Sequence, residues 1–157
     1  MVHVLAPRPP HPNLPIFFNV DSAVGAAPAA NMPEDVLLVQ FLMRLIGDNP
    51  GASGMANGGV TEMLKQVNPT GIMDDRTIIA IRGLQTLVGT TADGRVSPAL
   101  HYKYGANFYT IVDLNFSIRD RSKFHATWPN LDKIAGCPPM LQLAVRRALA
   151  GQSAPRD

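Results

Sequence analysis

A chain of 157 residues is long enough for one hydrophobic core and short for two, so a single domain is expected. A formal charge of +2, with 17% charged residues, is too weak a field to recruit nucleic acid or a membrane surface by electrostatics alone. One cysteine, Cys137, excludes an intrachain disulfide and a cysteine-based zinc cluster, and no segment has the length and apolarity of a membrane span.

Prolines at 7, 9, 10, 12 and 15 fix φ and remove backbone donors, which predicts an extended arm without regular structure over residues 1–15. Ile16 to Val20 is a short β-favouring run, read as an isolated or edge strand, and Asp21 to Ala30 is a small-residue connector, so residues 1–30 are arm and connector. The first residues lack a basic start, an apolar run and a cleavage site; without a Sec-type signal the expected place is cytoplasmic, or one reached by a signal-independent route. Asn31-Met32-Pro33-Glu34 reads as a helix start, with Asn31 capping and Glu34 bonding back. The following helix, 33–46, is apolar nearly all round and so should be central. Gly51 to Gly59 is a linker, and 60–67 a short helix with Val60, Met63, Leu64 and Val67 inward.

Asp74 is suited to capping a helix over 74–88, whose inward face is predicted to be Ile78, Ile81, Leu84, Gln85 and Val88, widened by Ile79. Gly89 can end it in a left-handed conformation, and Asp93-Gly94 is a turn dipeptide. Ser97 to Leu100 can begin another helical turn. Residues 106–120 alternate as a strand would and also carry a helical stripe of Phe108, Ile111, Val112, Asn115 and Ile118; helix is chosen because no matching partner strand is visible nearby. After a loop over 122–136 holding Trp128, Pro138 opens a last helix, to residue 150, with Met140, Leu141, Ala144, Val145, Ala148 and Leu149 on one face, and 151–157 is a polar disordered tail. Helices 33–46, 74–88 and 138–150 should share one core.

Two stretches resemble the peptidoglycan-binding-like domain, a small helical bundle often attached to cell-wall hydrolases. Its second half reads roughly D-G-x-F-G-x-x-T-x-x-A-V-x-x-F-Q followed by D-G-x-V-G-P. Gly71, Met73, Thr77, Ala80, Ile81, Leu84 and Gln85 fall on the first part, and Asp93, Gly94, Val96 and Pro98 on the second. Val36, Val39, Gln40 and Leu42 to Leu45 resemble the family's first helix, V-x-x-L-Q-x-x-L. The resemblance covers about residues 33–100. It implies a mainly α, small orthogonal bundle over 31–100, with the proline-rich arm before it and a helical extension over 101–150 after it. The sequence departs from the pattern at Thr70, Asp74, Leu84 and Ser97, and in the long link between the two helices. These departures weigh more on the ligand than on the fold, because the retained positions are core and turn positions.

No catalytic constellation is present. His3, His11, His101 and His125 fall in no zinc or Cys-His motif, there is no G-x-S-x-G, and Asp74-Asp75 is better explained by helix capping. Neither a metal nor a cofactor is expected. The expected function is a non-catalytic binding module resembling peptidoglycan-binding domains, serving a phage or secretion-related assembly. The alternative is a protein–protein adaptor or structural component of a cell-wall or injection assembly that keeps the fold without the glycan site; a small hydrolase with an unrecognised site is a third reading. The predicted ligand residues are Arg82, Asp93, Arg95, Tyr102 and Tyr104, where a charged turn and two rings come close in sequence. Trp128 is a further stacking candidate.

Overall fold

The computed structural model describes residues 1–6, 14–49, 58–100, 109–119, 124 and 127–152. It is mainly helical, with two small sheets. The helices are α1 (Pro33–Asp48), α2 (Gly58–Lys65), α3 (Asp75–Val88), α4 (Thr110–Arg119) and α5 (Pro139–Gln152), with a 3-10 turn at Leu131–Lys133. The strands are β1 (His3–Leu5), β2 (Phe17–Asn19), β3 (Val24–Gly25) and β4 (Arg95–Val96). β1 runs antiparallel to β2 with Val4 opposite Phe18, and β3 antiparallel to β4 with Val24 opposite Val96.

Helix α1 is central, as its apolar composition predicts: Val36 to Met43 are all buried, and it packs against α2, α4, α5 and β3. Its start differs from expectation. Met32 is the N-cap and makes no side-chain cap, while Asn31 adopts φ 52° and uses its amide to hold the N–H and C=O of Gly25. The carboxylate that reaches back is that of Asp35, fully buried and accepting from the N–H groups of Asp21 and Ser22; Glu34 instead pairs with Arg147 of α5 at 3.0 Å.

The prolines predicted an arm without regular structure, yet residues 3–5 form β1 and Val2, Val4 and Leu14 are buried in the core. Burial of alternate valines outweighs the local signal, and residues 7–13 lie outside the described residues. β2 is an edge strand, as expected, of the two-stranded sheet that it forms with β1. On the side away from β1, the buried Asn115 of α4 accepts from the N–H of Phe18 at 2.8 Å and donates to its C=O at 2.8 Å, in the manner of a third strand. Residues 110–119 are therefore helical, and one of their side chains supplies the pairing that a strand there would have given.

In α3 the inward face is Thr77, Ala80, Ile81, Leu84 and Gln85, with Ile78 and Val88 only half-buried and Ile79 exposed. The predicted stripe is rotated because Asp74 accepts from both the N–H (2.8 Å) and the hydroxyl (2.7 Å) of Thr77, turning this polar side chain inward. Met63 and Met140, also predicted inward, are exposed; the Met63 sulfur lies across Gly83 instead. Residues 97–99 do not form a helical turn; the side chain of Asn19 takes both the N–H and the C=O of Ala99 instead. The buried residues of α1, α3 and α5 belong to one continuous core. α5 runs one residue past Gly151, and 153–157 lie outside the described residues.

Candidate functional site

Two buried glutamines build the part of the molecule that carries the motif. Gln40 of α1 accepts from the N–H groups of Thr70 (3.1 Å) and Gly71 (2.9 Å), and donates to the C=O of Ile72 (2.9 Å) and the hydroxyl of Thr77 (3.1 Å). Gln85 of α3 accepts from the N–H of Gly94 (3.0 Å), and its amide lies within reach of Asp93 Oδ1 (3.1 Å), the C=O of Arg95 (2.8 Å) and the hydroxyl of Thr110 (3.3 Å). Each glutamine thus ties a helix to a later glycine turn and then to a threonine that starts the next helix. Both glycines, Gly71 and Gly94, have positive φ, which few other residues adopt. Gln40 reaches its glycine across 31 positions and Gln85 across 9; the extra length in the first unit contains α2.

The second turn is fixed from three sides. α3 ends at Gly89 in the left-handed region, with the N–H groups of Gly89 and Thr90 satisfying the last carbonyls. Asp93 Oδ1 accepts from the N–H of Arg95 at 2.9 Å, closing the turn locally. The N–H of Ala26 donates to the C=O of Gly94 at 2.9 Å, and β3 comes so close that a Cβ on Gly25 would lie 2.0 Å from that oxygen. No residue but glycine fits at 25 without the strands parting.

An open cleft of about 450 Å³ lies against this turn, lined by Gln85, Gly89, Thr90, Thr91, Asp93, Arg95, Ser97, Tyr109 and Thr110. That volume is in the range of small-molecule sites, roughly 300–1,000 Å³. Arg95 and Asp93 face each other at 3.5 Å and are both about one-third exposed, at 37% and 35%. Of the residues predicted from sequence, Asp93 and Arg95 line the cleft. Arg82 is exposed and packs across Gly94, where a Cβ would meet its Nε at 3.0 Å, and is not part of the cleft wall. Tyr102 and Tyr104 lie outside the described residues, as do His11, His101 and His125. The wall residues that sequence reasoning missed are Thr90, Thr91, Ser97, Tyr109 and Thr110. The only signal for them was nearness in sequence to the turn and to a helix start.

Other chemistry-bearing residues are engaged elsewhere. Trp128 is not a free stacking face: its Nε1 donates to the C=O of Ile16 at 3.2 Å and its ring meets Phe18 edge-on, with centroids 5.4 Å apart. His3 Nδ1 lies 2.6 Å from Asp21 Oδ1 without hydrogen-bond geometry, while Asn19 Nδ2 is 3.0 Å from its Nε2. Burial, and then the nearby Asp132 carboxylate, push the Cys137 thiol up to about 12, so at neutral pH it is not a nucleophile. Among the described residues no three His, Cys, Asp or Glu side chains converge as a metal site, and no helix is long and apolar enough to cross a membrane.

No family model, curated protein or solved structure matches this chain. The functional reading therefore rests on the arrangement itself.

Proposed function

We propose that the protein is a non-catalytic binding module resembling peptidoglycan-binding domains, that it holds cell-wall material in the cleft beside the second glycine turn, and that it serves a phage or secretion-related assembly. The observation that carries the reading is the pair of glutamine-held glycine turns. Gln40, Gly71, Thr77, Gln85, Asp93 and Gly94, which fall on the family's pattern, are the residues that make those hydrogen bonds. The peptidoglycan-binding-like fold is part of the same proposal. The cleft supports it further, since hydroxyls, one carboxylate, one guanidinium and a ring are the groups that recognise a hydrated polymer.

A second reading, the protein–protein adaptor, is favoured by a different surface. Around the first glycine turn Met32, Ile72, Met140 and Leu143 are exposed, Ile72 at 72%, and Met140 reaches Gly71. A pull-down on insoluble peptidoglycan separates the two. Wild type is expected in the pellet, and an Arg95→Ala, Thr91→Trp variant with unchanged melting in the supernatant. If wild type stays in the supernatant, the wall-binding reading fails and the adaptor reading takes its place. Clearing of the peptidoglycan suspension by the purified protein would overturn the non-catalytic half of the proposal.

A further inference from the structure

We infer that the cleft takes an uncharged, hydroxyl-rich stretch of its ligand, the sugar units of a glycan strand, rather than a carboxylate-bearing peptide. This rests on the wall-binding reading and narrows it. The argument begins with the charges on the described wall. Asp93 and Arg95 are its two formal charges, they oppose each other at 3.5 Å, and every other lining residue is neutral. Asp93 Oδ1 already faces the Gln85 amide and the N–H of Arg95, which leaves Oδ2 as the counter-charge of the guanidinium.

An entering carboxylate would have to draw Arg95 away and leave Asp93 uncompensated. The carbonyl end of α3 and the N-terminal end of α4 both reach this wall, so the two helix dipoles oppose each other there and favour neither sign. An entering ammonium would meet the guanidinium instead. Neither sign of charge gains, whereas a neutral saccharide exchanges its hydration for the hydroxyls of Thr90, Thr91, Ser97 and Thr110 and can lay a sugar face against Tyr109. The first turn carries Thr70 and Ile72 where the second carries Asp93 and Arg95, so this charge-compensated wall occurs at one of the two turns. One saccharide per chain is the expected stoichiometry.

The test titrates the full chain with two probes, a neutral oligomer of N-acetylglucosamine and a free stem peptide bearing carboxylates, at low and high salt. It is run beside the pelleting assay. The expected result is that the neutral oligomer binds once per chain with an affinity nearly independent of salt, that the peptide does not bind, and that Thr91→Trp weakens the sugar by about tenfold or more by filling the cleft. Thr91 is exposed, so this variant should fold, and unchanged melting checks that it does. If the protein pellets but binds the peptide and not the oligomer, the inference is overturned while the wall-binding reading stands. If the oligomer binds wild type and Thr91→Trp equally, the cleft is the wrong place. If the protein neither pellets nor binds the oligomer, both fail together.

Discussion

At the first glycine turn Gln40 is fully buried and the residue after the glycine is the exposed Ile72. At the second, Gln85 is 2% exposed, the residue after the glycine is Arg95, and the turn borders an open cleft. The hydrogen-bonding device is the same in both places: an amide that takes the turn's N–H groups and gives to its carbonyl and to a helix-starting threonine. What differs is what surrounds it. The first turn is wedged between Pro33 of α1 and Met140 of α5 and is followed directly by a capped helix, whereas the second is held by a two-residue strand pair and borders the open cleft. A shared local device can therefore serve as an anchor in one place and as the wall of a site in another. The packing around it decides which.

The sharpest way to break this comparison is to remove the two amides. Gln40→Ala leaves the N–H groups of Thr70 and Gly71 without partners and takes one bond each from the Ile72 carbonyl and the Thr77 hydroxyl, and should cost about 3 kcal/mol of unfolding free energy. Gln85→Ala should cost less, about 2 kcal/mol, because water from the adjoining cleft can take over some of those bonds. Urea midpoints measure both. Equal losses would show that the cleft does not hydrate its floor.

A smaller effect belongs to the first turn alone. Asp74→Ala removes the cap of α3, with its bonds to the N–H and hydroxyl of Thr77, and should cost about 1 kcal/mol by the same measurement. No change on this substitution would mean that Gln40 alone orients Thr77.

The smallest effect, and one that depends on pH, lies on the helix that the second unit starts. Burial pushes the Asp113 carboxyl of α4 up to about 6, and no described side chain pairs with it. A carboxyl whose folded pKa is raised binds its proton more tightly in the folded state. Its ionisation therefore costs nothing below the unfolded value of about 3.9, costs increasingly as pH rises from there to about 6, and costs a constant amount above. Asp113→Asn should melt higher than wild type at pH 8, with the gap closing towards pH 4. A gap independent of pH would assign the effect to packing rather than charge.

Much of this molecule is determined by sequence alone. The all-round apolarity of Val36 to Ile46 makes α1 central, the Asp74-x-x-Thr77 spacing starts α3, Gly89 ends it, and Asp93-Gly94 turns the chain; each depends on residues within a few positions of one another. The last of these signals also puts Asp93 and Arg95 on either side of one glycine, at the edge that lines the cleft. What the tertiary structure decided is wherever a polar side chain bonds to backbone far along the chain. Asn115 pairs with the backbone of β2 across 97 positions, Asn19 holds the backbone of residue 99 across 80, and Gln40 grips Gly71 across 31. Local pattern carries no trace of such bonds, because a buried amide looks in sequence like one polar residue misplaced on an apolar face. The cleft is of this kind too: Tyr109 and Thr110 reach its wall where Gln85 meets the start of α4 beside the second turn. That meeting depends on which groups are left without water once the core has closed, a quantity that exists only in three dimensions.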